Sequence, residues 1–103
     1  MDFFFIQMSD PQFGMFARLS GLDEERIQEF HRRRGWNILP AAKAIGFSQE
    51  TALYEKAIAA ANRLNPAFVV ISGDMVEDQS DPNQLAELRR ITAKLHPHIP
   101  THW

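Results

Sequence analysis

Apolar residues fall in two dense runs and two longer periodic stretches along this chain. Phe3-Phe4-Phe5-Ile6-Gln7-Met8 is apolar at nearly every position, which predicts a short strand buried on both faces and ended by Ser9-Asp10-Pro11. Such a strand suits a central parallel sheet covered by helices on each side. Ala67 to Ile71 repeats the signature and predicts a second buried strand, ended by Ser72-Gly73-Asp74. Between the two runs, Gln12 to Gly21 has no period and reads as loop. Leu22 to Arg34 reads as a helix, with Ser20 or Asp23 as its cap, Gly35 as its stop, and Glu29 and Arg33 at the favourable i,i+4 spacing. Trp36 to Phe47 mixes Pro40 and Gly46 with apolar residues and fixes no element. Ser48 can cap a helix from Gln49 to Leu64 whose apolar face is Leu53, Ala57, Ala60, Ala61 and Leu64, with Asn65-Pro66 ending it. Asp81-Pro82 starts a further helix, Gln84 stands where a capping box would close, and Leu85, Leu88, Thr92 and Leu95 share one face. Pro97 ends it, and Ile99 to Trp103 opens a third strand. The expected fold class is α/β, with parallel strands and right-handed helical crossovers.

Composition narrows what such a fold can do. The 103 residues make one domain or a piece of one. Area scaling for this size gives about 5,900 Å² folded against about 17,000 Å² unfolded, so about 65% of the surface is expected to be buried. A net charge of −2 argues against a nucleic-acid module held by bulk positive charge. The absence of cysteine excludes disulfides, thiolate metal sites and a cysteine nucleophile. No apolar run approaches membrane-spanning length, and Met1-Asp2 carries no basic leader, so a cytoplasmic location is expected.

Ligands of parallel α/β sheets bind beyond the carboxyl ends of the strands. Asp10 and Asp74 stand just past the two predicted strands, so the chain brings two carboxylates to neighbouring strand tips. Like charges that close repel unless a proton or a cation lies between them. A pair of divalent metals answers this and suits in-line displacement at phosphorus. Gln12, two residues beyond Asp10, offers a neutral hard oxygen, and Gly73 lets the backbone pass close by. The competing reading has both aspartates bonding their own turns. Other polar residues point to ordinary surface. His96, His98 and His102 read as a turn rather than a ligand set, and Arg32, Arg33 and Arg34, with His31 beside them, read as a solvated helix end that complements the dipole, against the alternative of drawing in phosphate. Phe13 and Phe16 read as loop aromatics covering the core, against the alternative of a substrate cleft. Glu77 and Asp78 either orient Asp74 or are solvated.

The segment Phe4 to Gly14, containing Asp10-Pro11-Gln12-Phe13-Gly14, and the later Val69 to Asp78, containing Ser72-Gly73-Asp74, together resemble the calcineurin-like metallophosphoesterase family. They are similar to its first two blocks, a strand ending in Asp-x-His and a strand ending in Gly-Asp. The Gln12 variant resembles the branch of calcineurin-like phosphoesterase domain-containing phosphatases. The resemblance implies a sandwich of two sheets flanked by helices. It also implies two divalent metal ions (Mn, Fe, Zn or Mg), with Asp10 and Gln12 on the first and Asp74 bridging both. The implied reaction is hydrolysis of phosphate monoesters or phosphoproteins by a metal-bridging hydroxide. The partner is then a phosphoester substrate, with no nucleic acid or membrane. The family's Gly-Asn-His block, which carries the catalytic His, and its later His ligands do not occur in these residues. Residues 1–103 are therefore expected to be the amino-terminal segment of the family domain, inactive alone, with its catalytic His beyond Trp103. The alternative is a truncated or degenerate member that acts as a non-catalytic metal- or partner-binding module. An aspartyl phosphotransfer domain of the same class is disfavoured by Gln12, because such domains usually place an acidic residue there.

Overall fold

The computed structural model describes residues 2–44 and 47–103. Met1, and Ile45 and Gly46 of the stretch that fixed no element, lie outside the described residues. Three strands, β1 (Ile6–Ser9), β2 (Val69–Ser72) and β3 (Thr101–His102), form a parallel sheet in the order β1-β2-β3. The register pairs Ile6 with Val69, Met8 with Ile71, and Val69 with Thr101. The helices are α1 (Met15–Leu19), α2 (Glu24–Arg34), α3 (Ser48–Leu64) and α4 (Pro82–Thr92). This is the expected parallel α/β order.

Local chemistry sets most of the boundaries. Asp23 caps α2 by accepting the Arg26 N–H at 2.8 Å, and Gly35 leaves that helix at φ 69. Ser20 does not cap it. It is the residue after α1, and its buried hydroxyl donates to the Ala17 carbonyl and accepts from Ala44 N at 2.9 Å. Together with the Gly21 N–H to the Ala41 carbonyl, this ties the irregular segment 36–44 to the turn before α2. Asp81 caps α4 through Asn83 N. Gln84 does not close the capping box. It is buried, and its Oε1 instead accepts the Asp78 N–H at 2.9 Å. Asn65 ends α3 in the left-handed region at φ 50, ahead of Pro66.

The core joins α3 and α4 to one face of the sheet. Tyr54, Ile58 and Ala61 of α3 and Leu88 and Ile91 of α4 meet Val69 and Ile71 of β2, with Phe13 fully buried among them. Three expectations need correction here. The buried face of α3 runs through Tyr54, Ile58 and Ala61 at i, i+4 and i+7, whereas Leu53 and Leu64 are 71% and 59% exposed. Alanines are small enough to sit on either side of a helix, so counting them as apolar rotated the predicted stripe by one residue. Secondly, β1 begins at Ile6, and Phe3, Phe4 and Phe5 are exposed. Among the described residues, the core covers one face of the sheet. Ile6 and Met8 pack on the core. Alternation along the strand sends Gln7 to the open face, where it bonds Ser72, and Phe5 stacks on Phe68 with ring centroids 4.9 Å apart. Thirdly, the fold exposes 7157 Å² rather than the about 5,900 Å² expected of a compact chain this size. No helix among the described residues is long and apolar enough to cross a membrane.

Candidate functional site

Beyond β1 and β2 the chain does not diverge. Asp10 N–H donates to the Ser72 carbonyl at 2.8 Å, Gln12 N–H to the Asp74 carbonyl at 3.0 Å, and Phe13 N–H to the Met75 carbonyl at 3.2 Å. Glu77 N–H then returns a bond to the Phe13 carbonyl at 2.9 Å, so the two loops run side by side as an extension of the ladder. Burial of Phe13 against Tyr54, at 5.5 Å and edge to face, fastens this extension to the core.

That zipper brings the two predicted aspartates side by side. Asp10 Oδ1 accepts the backbone N–H of Asp74 at 3.0 Å, and both side chains are exposed. Gly73, at φ 83, is required between them. A Cβ built there would lie 2.2 Å from Asp10 Oδ1. Asp10 and Gln12 both hold positive φ, 52 and 44, a region that side-chain-bearing residues visit rarely. Asp10 also precedes Pro11, which ordinarily forces the preceding residue into extended backbone. The cross-loop hydrogen bonds hold this strained turn, a cost of about 1–3 kcal/mol per residue of the kind that concentrates at functional sites.

Gln12 joins the pair through its backbone, while its side-chain amide donates to Glu77 Oε2 at 3.4 Å. Glu77 also pairs with Arg18 on α1. Glu77 thus orients Gln12 rather than Asp74. Asp78 turns away from the site: its carboxylate accepts from the hydroxyl and N–H of Ser80, which hold it below the usual carboxylate range. Phe13 is core, as expected, and Phe16 is half-exposed. The histidines stand elsewhere. His96 and His98 precede β3 at the amino end of the parallel strands, where His98 Nε2 lies 2.7 Å from Asn65 Oδ1. His102 packs edge-on against Phe68, and His31 is exposed in the last turn of α2.

Sequence reasoning missed Glu50 and α1. Glu50, in the first turn of α3, accepts the N–H of Gly14 at 2.9 Å through Oε2 and that of Phe16 through Oε1. It thereby satisfies free donors at the start of α1, a helix of five residues in a stretch that reads as loop. Its signal is faint, because a first-turn glutamate ordinarily belongs to its own helix. Beside it runs an open groove of about 520 Å³, walled by Met15, Phe16, Leu19, Ile38 and Leu39, with Gln12 in its lining.

The donor chemistry suits a hard divalent cation in part. Asp10 keeps Oδ2 for a ligand once Oδ1 takes the Asp74 N–H, Asp74 is exposed, and the Gln12 contact with Glu77 uses only its amide nitrogen. No group of three or more His, Cys, Asp or Glu is gathered around one point among the described residues. Asp10, Asp74 and Gln12 therefore fit an incomplete oxygen set, open to solvent for further ligands. Comparison with family models, with curated proteins and with solved structures finds no match to this chain.

Proposed function

We propose that the chain is the amino-terminal segment of a metal-dependent phosphoesterase of the calcineurin-like kind, a two-sheet sandwich when complete. One observation carries this reading. Two aspartates stand at the carboxyl ends of adjacent parallel strands, where the Asp10 carboxylate accepts the Asp74 backbone N–H across a glycine. Asp10 and Gln12 would hold one cation and Asp74 would bridge to a second. When bound, such ions supply charge for the phosphoryl oxygens and acidify a water for in-line attack. The chain's own residues orient the donors: Glu77 holds the Gln12 amide, and the cross-loop hydrogen bonds fix both aspartates. The groove beside Gln12 would take the apolar part of a phosphate monoester or phosphoprotein. The open sheet face bearing Phe5 and Phe68 is a surface on which a second layer would pack.

Calorimetric titration of Mn²⁺ into the 103-residue chain should give saturable binding that weakens by about tenfold or more in Asp74→Ala, equal to about 1.4 kcal/mol or more. Hydrolysis of p-nitrophenyl phosphate should stay at the buffer rate, because the expected catalytic His block is absent. Lack of saturable binding sinks the metal assignment. Turnover that Asp74→Ala abolishes would instead make the chain a working enzyme. A second reading, a non-catalytic metal- or partner-binding module, is favoured by the sparse donor set, since no group of three or more His, Cys, Asp or Glu gathers among the described residues.

A further inference from the structure

We propose that the cleft between α1 and α2 is a binding site for a phosphate group, separate from the paired aspartates. The cleft holds about 160 Å³ and is lined by Arg18, Arg26, Glu29, Phe30, Arg33 and Arg34. Glu29 draws Arg26 Nη1 to 2.6 Å and Arg33 Nη2 to 3.2 Å, and those arginines hold its carboxyl below the usual carboxylate range. Phe30 lines the cleft, and Trp36 backs it from outside. Phe30 and Trp36 stack at 5.8 Å and 4° between planes, with the Arg26 guanidinium 5.2 Å from the first ring and that of Arg34 5.6 Å from the second.

Charge arithmetic decides between a solvated helix end and a site. Four guanidiniums face one carboxylate in the cleft, and two if Glu77, which pairs with Arg18, is included. The α2 carboxyl terminus contributes only about half a negative charge. At least one full positive charge therefore stays uncompensated in a cleft whose lining holds one apolar side chain, Phe30. Each guanidinium presents five donors in a planar fork, and the Glu29 contacts use one on Arg26 and one on Arg33. A phosphate dianion matches both the excess charge and the spare donors, since its three free oxygens accept paired N–H groups that a single carboxylate cannot satisfy.

The test is calorimetric titration of inorganic phosphate into the full chain with a chelator present, which removes metal-dependent binding at Asp10 and Asp74. We expect one saturable site that weakens as salt rises. Arg33→Gln/Arg34→Gln should lower affinity at least about tenfold. Arg89→Gln, an exposed α4 control, should leave it unchanged. Unchanged far-ultraviolet circular dichroism shows that both variants are folded. A phosphoserine peptide displaced by inorganic phosphate identifies a protein-borne group as a source, and binding of inorganic phosphate alone identifies the free ion. Either supports the site. Absence of saturable binding overturns it, as do equal losses in the two variants. Binding only to phosphatidylserine vesicles, undisplaced by inorganic phosphate, also overturns it in favour of a membrane surface.

Discussion

Gly73 makes room for the Asp10 carboxylate against the Asp74 backbone by lacking a side chain. A methyl there must displace Asp10 Oδ1 and must also adopt φ 83, which is unfavourable for any L residue. Gly73→Ala should therefore destabilise the chain by about 1–3 kcal/mol, measured by urea denaturation, and should weaken Mn²⁺ binding in the same variant. The aspartates and the glycine were legible at this scale, because strand-end position follows from the apolar runs before them. Glu50 was not. Its partners Gly14 and Phe16 lie more than thirty residues away, and nothing local announces a carboxylate reaching across that gap. Gln84 misled for the opposite reason, since its spacing fits a capping box while burial turns it toward Asp78.

At the scale of elements, caps were easier to read than faces. Asp23, Gly35 and Asp81 act through their own neighbours, so their spacing is enough. The inward face of α3 depends on what it meets. Tyr54 reaches α4, its hydroxyl 2.7 Å from Thr92 Oγ1, and Ile58 is 1% exposed, while Leu53 lies outside. Ile58→Ala should accordingly cost about 2–5 kcal/mol and Leu53→Ala under about 0.5 kcal/mol in equilibrium unfolding. The opposite ranking would restore the stripe through Leu53. Helix α1 escaped notice because five residues carry too little periodicity, and its start depends on Glu50.

Across the whole molecule, the parallel order of the strands was readable from the alternation of runs, but the coverage of the sheet was not. Phe3, Phe4 and Phe5 have the composition of a buried strand and remain exposed: Phe5 faces the side of the sheet on which no element of the described chain packs, and Phe3 and Phe4 precede the start of β1. The radius of gyration, 16.2 Å against about 13 Å for a compact chain of this length, reflects the same incomplete layering. Exposed ion pairs tie Glu55 of α3 to Arg90 of α4, at 3.6 Å, and to Lys94 just after that helix, while Arg90 also pairs with Glu87 inside α4. Lys94 lowers the pKa of Glu55, and Arg90 lowers that of Glu87. Depressed carboxylates stabilise the fold above their unfolded values and lose that contribution as pH falls through the folded ones. The melting temperature should thus decline between about pH 5 and about pH 3, and Lys94→Ala should flatten the decline. The contact between Asp10 and Asp74 links positions 64 residues apart in the chain. Closing so long a loop precedes any reward from parallel pairing, so this sheet belongs to the slow end of folding kinetics. The aspartate pair cannot exist in a chain that has made only its helices. During refolding, the ability to capture a cation at these residues should appear together with the sheet and later than the helical signal.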